Sequence, residues 1–194
     1  MSRAGPVAGP DPEAFARLLT GYCLDVEPGQ HVVVRSTTLA APLLLALQAA
    51  ILDRDAWPLL RAELPGQGRV FYEHARERHL DLVDDLALPE AKKAAALLAI
   101  QAPADPLELA GIDPERLTRV NRARRYVRDQ TMKRRWCSTL WPTPALAERA
   151  GMDEAAFGSF VTSALFLDRP DPVLAWRQLA GFQDQLIARL ARAR

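Results

Sequence analysis

Four short strand-forming runs, with helical patterns between them, constrain this sequence more than any other feature. They are His31-Val32-Val33-Val34-Arg35, the segment Trp57 to Leu64, Ala94 to Ile100, and Arg135 to Leu140. The first is β-branched and the third is continuously apolar, as expected of strands buried on both faces of a sheet. Between the first two runs lies one helix, Pro42 to Arg54, with Leu43, Leu44, Leu47, Ala50 and Ile51 on its apolar face. A strand, a helix and a second strand predict a right-handed parallel unit. The expected class is therefore α/β: a mostly parallel central sheet of about four to five strands, layered by helices in a Rossmann-like three-layer arrangement.

The helix signals are local. Asp11-Pro12-Glu13 combines an N-cap, a proline in the first turn and an acid near the positive end of the dipole. Phe15, Leu18, Leu19, Tyr22 and Cys23 then mark one buried face. Pro28-Gly29 closes that segment with a turn. A charged helix is predicted from Glu73 to Asp85, and a short one from Leu107 to Ala110, stopped by Gly111. Asp113-Pro114-Glu115 repeats the start signature and launches a basic helix to about Lys133. Further helices are predicted over Pro144 to Ala150, Asp153 to Phe166 and Asp171 to Arg192. The last carries Val173, Trp176, Leu179, Phe182, Leu186, Ile187 and Leu190 at three- and four-residue steps. A stripe that long needs a cover. Its first half is expected to pack on this domain, and its second half on whatever follows or on a second copy. Trp176, Phe182, Leu186 and Leu190 are thus the candidate domain or dimer contacts. The expected organisation is a flexible lead-in over 1–10, an α/β domain over 11–170 and a terminal helix over 171–194.

Bulk properties exclude several classes. With 194 residues, 49% of them apolar, the chain can bury a core as one domain. A net charge of +1 gives no global bias toward nucleic acid or an anionic membrane. The longest apolar run, Leu39 to Leu47, is broken by Pro42 and is too short to span a bilayer. Gly and Pro occupy the first ten residues, where a signal peptide would carry an apolar stretch. Cys23 and Cys137 lie far apart in sequence; a disulfide is possible on paper. Sparse cysteine without an export signal points instead to a reduced, cytoplasmic protein with two packed thiols.

Candidate chemistry is thin. Glu73, His74, Glu77 and His79 form the one tempting metal cluster. The two histidines, however, sit roughly 140° apart on a helical wheel, and no HExxH motif exists. Asp81, Asp84 and Asp85 read as a solvated or capped helix end. Arg116, Arg119, Arg122, Arg124, Arg125, Arg128, Lys133, Arg134 and Arg135 make the basic helix. Its charges are spread around the helix, without interleaved aromatics, which favours a salt-bridged face or a domain seam over nucleic acid. Ligands of open α/β sheets bind beyond the carboxyl ends of the strands. Those ends are Ser36-Thr37-Thr38 and Gln101-Ala102-Pro103-Ala104-Asp105, and neither is a glycine-rich phosphate cradle.

Two stretches carry a resemblance to a known family. The first is Tyr22-Cys23-Leu24-Asp25-Val26-Glu27-Pro28-Gly29-Gln30-His31-Val32-Val33-Val34. The second joins Trp136, Pro142-Thr143-Pro144 and Ala145-Leu146-Ala147 to Asp171-Pro172-Val173-Leu174-Ala175-Trp176. Together they resemble the N-terminal domain of the thermophilic metalloaminopeptidases, the aminopeptidase T, S and II type, from about Phe15 to Arg192. The resemblance implies a cytoplasmic, dimeric enzyme that removes N-terminal residues from peptides at a two-metal site using cobalt, zinc or magnesium. In that family the metal ligands come from a second, C-terminal domain, and no position here matches them. No catalytic or metal-binding residue is therefore assigned in this chain. The expectation is an inactive α/β half that shapes substrate access and dimer assembly, with Trp176 leading toward the catalytic domain. Two other readings stand beside it: a stand-alone interaction or scaffold domain, homodimeric through the last helix, and a small-molecule binding domain that uses the sheet-end loops.

Overall fold

The computed structural model describes residues 9–192. Of the lead-in expected over 1–10, residues 1–8 lie outside the described residues; Pro10 is buried. Helix α1 spans Pro12–Leu18, and the Asp11 carboxylate accepts from the backbone N–H groups of Glu13 (3.3 Å) and Ala14 (3.1 Å). The chain then widens into a π turn, Leu19–Cys23. Strand β1 (His31–Thr37), helix α2 (Ala41–Leu52) and strand β2 (Trp57–Glu63) form the expected unit, and the two strands pair in parallel. Helices α3 (Gln67–His74), α4 (Glu77–Asp81) and α5 (Ala87–Lys93) lead to β3 (Ala96–Gln101). Helices α6 (Pro114–Ala123) and α7 (Arg125–Thr131) lead to β4 (Arg135–Leu140). Helices α8 (Pro144–Arg149), α9 (Glu154–Ala164) and α10 (Pro172–Arg192) follow.

The described sheet has four strands in the order β2-β1-β3-β4, and every pairing is parallel. The order follows from burial. Val32, Val33 and Val34 are almost wholly buried, so β1 takes a central place with apolar layers on both faces. On one face Val32, Val34, Leu98 and Ile100 pack with Phe15, Leu19, Leu43, Leu47 and Ile51 from α1, its π turn and α2. On the other, Val33 and Leu97 lie against Ala91 and Ala94 at the end of α5 and Thr131 of α7. The α/β expectation holds, with four strands.

Several boundaries differ from expectation. The charged helix breaks at Ala75, whose extended backbone (ψ 131°) ends α3. The Arg76 N–H then donates to His79 Nδ1 (3.0 Å), starting α4 afresh. Strand β3 begins at Ala96, two residues later than expected, and helix α5 fills a stretch to which sequence reading assigned no element. Pro89 stands in its first turn, where a missing N–H leaves no helical bond unmade. The basic helix divides at Arg124, whose guanidinium lies over the Phe71 ring at 5.3 Å. Leu107 to Ala110 forms turns, not a helix.

Candidate functional site

Beyond the carboxyl ends of β1 and β3 the strand order reverses, the usual place for a ligand in an open α/β sheet. Here the side chains of that loop hold the sheet together. Ser36 Oγ donates to the Ile100 carbonyl (2.9 Å) and Thr37 Oγ1 to the Ala102 carbonyl (2.5 Å). Ala40, Ala102 and Trp141 fill the remaining space as part of the main core. The Ser36 and Thr37 hydroxyls are therefore engaged by the protein's own backbone.

An open apolar cleft of about 290 Å³ lies one strand further, where β4 forms the sheet edge. Its walls are Ser138, Thr139 and Leu140 from β4, Phe160, Val161 and Ala164 from α9, and Leu165 just past the end of that helix. Helix α9 is placed by the turn Trp141-Pro142-Thr143-Pro144 and by α8. Thr143 Oγ1 accepts from the Leu146 N–H (3.3 Å), and Ala147 packs with Phe157 and Val161. Sequence reading did not single out the cleft. The signal was present in the width of the α9 stripe: Phe157, Phe160, Val161, Ala164 and Leu165 cover more surface than one neighbour can bury. Phe160 accordingly stays 58% exposed.

The four predicted contact residues are not brought together. Trp176 turns back onto its own domain. Its Nε1–H donates to the Leu165 carbonyl (3.1 Å), and its ring meets Phe166 edge-on at 5.2 Å. Phe166 has φ +59°, uncommon for a bulky side chain, and its ring is held by this contact. Phe182, Leu186 and Leu190 lie further along α10 and are exposed, as are Leu174 and Ile187. From Gly181 to Arg192 every residue of α10 is exposed. Leu165 links the two surfaces, because it lines the cleft and anchors α10 through Trp176.

The charged residues pair with one another. Arg69 holds Glu73 (2.9 Å), and Arg119 bridges Glu77 and Asp81 (2.6 Å). Hydrogen bonding to Arg119 keeps the Asp81 carboxyl below its usual range, and the same carboxylates raise the Arg119 pKa. Arg116 donates to the carbonyls of Tyr72 (2.8 Å) and Ala75 (2.6 Å), and Arg134 to that of Lys92 (2.8 Å). The basic helix thus stitches α6 and α7 to α3, α4 and α5.

A parallel sheet layered by helices, with an apolar cleft on its edge strand and an exposed terminal helix, defines an α/β domain of the open-sheet class. The chain belongs to the thermophilic metalloprotease (M29) family, whose model matches residues 10–194. Its fold is similar to that of wild-type AmpT from Thermus thermophilus, with a TM-score of 0.66 and 20% identity over 87% of this chain. The match covers 45% of AmpT, so the chain spans about half the length of that protein. None of the curated proteins compared with this chain matches it. No helix among the described residues is long and apolar enough to cross a membrane.

The family implies a divalent metal, and the described residues do not fit one. No group of three or more His, Cys, Asp or Glu among them is placed to hold a cation. Where carboxylates do converge, at Glu77 and Asp81, the guanidinium of Arg119 already stands between them.

Proposed function

We propose that this chain forms the non-catalytic α/β domain of a cytoplasmic, metal-dependent aminopeptidase. The family match over residues 10–194 carries the reading. The metal centre would be supplied by a C-terminal catalytic domain of the same polypeptide. Two metals held there would clamp the attacking water and the scissile carbonyl of a peptide's first bond. This domain would contribute the cleft and α10, bordering substrate access and the dimer seam. Support for that role comes from the apolar face of α10, which a solvated helix has no reason to carry over its last three turns.

The test has two parts. The purified chain is incubated with aminoacyl-p-nitroanilides and cobalt, zinc or magnesium. No release of p-nitroaniline is expected; metal-dependent turnover would overturn the reading of an inactive domain. The coding DNA past codon 194 is then read. An in-frame continuation carrying Glu, His and Asp clusters supports the two-domain enzyme. A stop codon transfers the argument to the second reading, a stand-alone interaction domain that self-associates through α10.

A further inference from the structure

Cys23 and Cys137 are far apart in sequence and adjacent in the fold. Cys23 ends the π turn after α1, and Cys137 sits in the middle of β4. Cys137 is in register with Leu98, so both side chains point to the same face of the sheet. That face is the one covered by Phe15 and Leu19, and both thiols pack against this cluster. The backbone around them is tied as well. Arg135, two residues before Cys137, donates through Nη1 to the carbonyls of Leu24 and Asp25 (2.6 Å to the latter), just after Cys23. Both thiols are unbridged and half-buried, and they stand close enough for each to alter the other's ionisation.

From this juxtaposition we infer that Cys23 and Cys137 form an oxidation site, at which a peroxide closes a disulfide between the end of the first helical segment and the edge strand β4. The two sulfurs have distinct parts in the reaction. The Cys23 thiol draws the Cys137 pKa down to about 7, while its neighbour Cys137, followed by burial, pushes Cys23 up. Cys137 is therefore the thiolate, and thiolates are the nucleophiles. Its sulfur attacks one peroxide oxygen, the O–O bond breaks, and with a proton taken up the second oxygen leaves as water. The product is a sulfenic acid on Cys137. Cys23 then attacks that sulfur, its proton joins the departing hydroxyl, and a second water leaves. Two thiols and one hydrogen peroxide become one disulfide and two waters. The bridge closes a long loop of chain, which restricts the unfolded ensemble. It also fixes the strand that walls the apolar cleft.

The experiment uses the reduced full chain and hydrogen peroxide, with intact-mass analysis and a non-reducing peptide map. Expected is the loss of two hydrogens and one cross-linked pair of peptides containing Cys23 and Cys137, reversed by dithiothreitol. In the Cys23→Ser variant, Cys137 should gain oxygen instead, because its resolving partner is gone. In the Cys137→Ser variant, Cys23 should remain unreacted. Added oxygen on Cys137 of the parent chain with Cys23 still reduced would overturn the inference. So would a disulfide between two chains, or two intact thiols at a peroxide dose that oxidises a small free thiol.

Discussion

Glu90 joins three elements through one carboxylate. It lies on α5, its side chain is 10% exposed, and it accepts from Arg35 of β1 (3.0 Å) and from Arg61 of β2, the latter through both Nε (2.9 Å) and Nη2. Burial pushes its carboxyl up, but hydrogen bonds to the two guanidiniums outweigh that, and the pKa falls below the usual range. The group therefore stabilises the fold fully above the ordinary carboxylate value of 4.5, and this contribution is lost as pH falls through the lower, folded value. Glu90→Gln should cost about 1–3 kcal/mol at neutral pH, read as a lower urea midpoint. The difference between variant and parent should shrink below pH 4.5. A difference independent of pH would mean that packing, not charge, holds this corner. At Thr143, buried and capping α8, loss of the hydroxyl in Thr143→Ala should cost about 1 kcal/mol by the same measurement.

At the scale of elements, α10 separates two kinds of apolar residue that look alike in sequence. Trp176 finds a carbonyl and an aromatic edge at the base of the helix. Phe182, Leu186 and Leu190 find nothing in this domain. Replacing Leu186 and Leu190 together by Glu should leave the thermal midpoint of a monomeric chain almost unchanged, because surface substitutions typically stay within about 0.5 kcal/mol. The same change should lower the mass measured by light scattering if α10 joins two copies. An unaltered mass would remove α10 from any self-association. Trp176→Ala should instead raise hydrogen exchange along the first turns of α10, since it removes the anchor to Leu165. Unchanged protection there would show that other contacts seat the helix.

For the whole molecule, arginines pair with both acids that sequence reading considered for metal chemistry, Glu73 with Arg69 and Glu77 with Arg119. A ligand that binds only the folded state raises its apparent stability. Cobalt, zinc and magnesium at millimolar concentration should therefore leave the melting temperature of this chain unchanged in a calorimetric scan. A rise of several degrees with one of them would place a cation site within these residues. The family assignment itself rests on features spread along residues 10–194 rather than on a catalytic motif.

Local chemistry was legible before any coordinates. Asp11, Asp113, Thr143 and Asp153 announce helix starts because a short polar side chain ahead of a helix satisfies orphan N–H groups whatever the surroundings. The strands were legible because β-branched and continuously apolar runs have few other stable fates. Strand β4, Arg135–Leu140, matches its sequence reading to the residue. Helix α5 and the breaks at Ala75 and Arg124 were not legible, since each meets a partner distant in sequence: Glu90 accepts from Arg35 and Arg61, the Ala75 carbonyl accepts from Arg116, and Arg124 lies over Phe71. The cleft, the engaged sheet-end hydroxyls and the pairing of Cys23 with Cys137 belong to the same group. Sequence by itself determined the four strands and most of the helix starts, because propensity, capping and periodicity act over a few residues. Only the tertiary structure decided which side chains meet, because long-range contacts are set by how whole layers pack. It was that packing which buried Trp141, left Phe160 and the end of α10 uncovered, and set two thiols side by side.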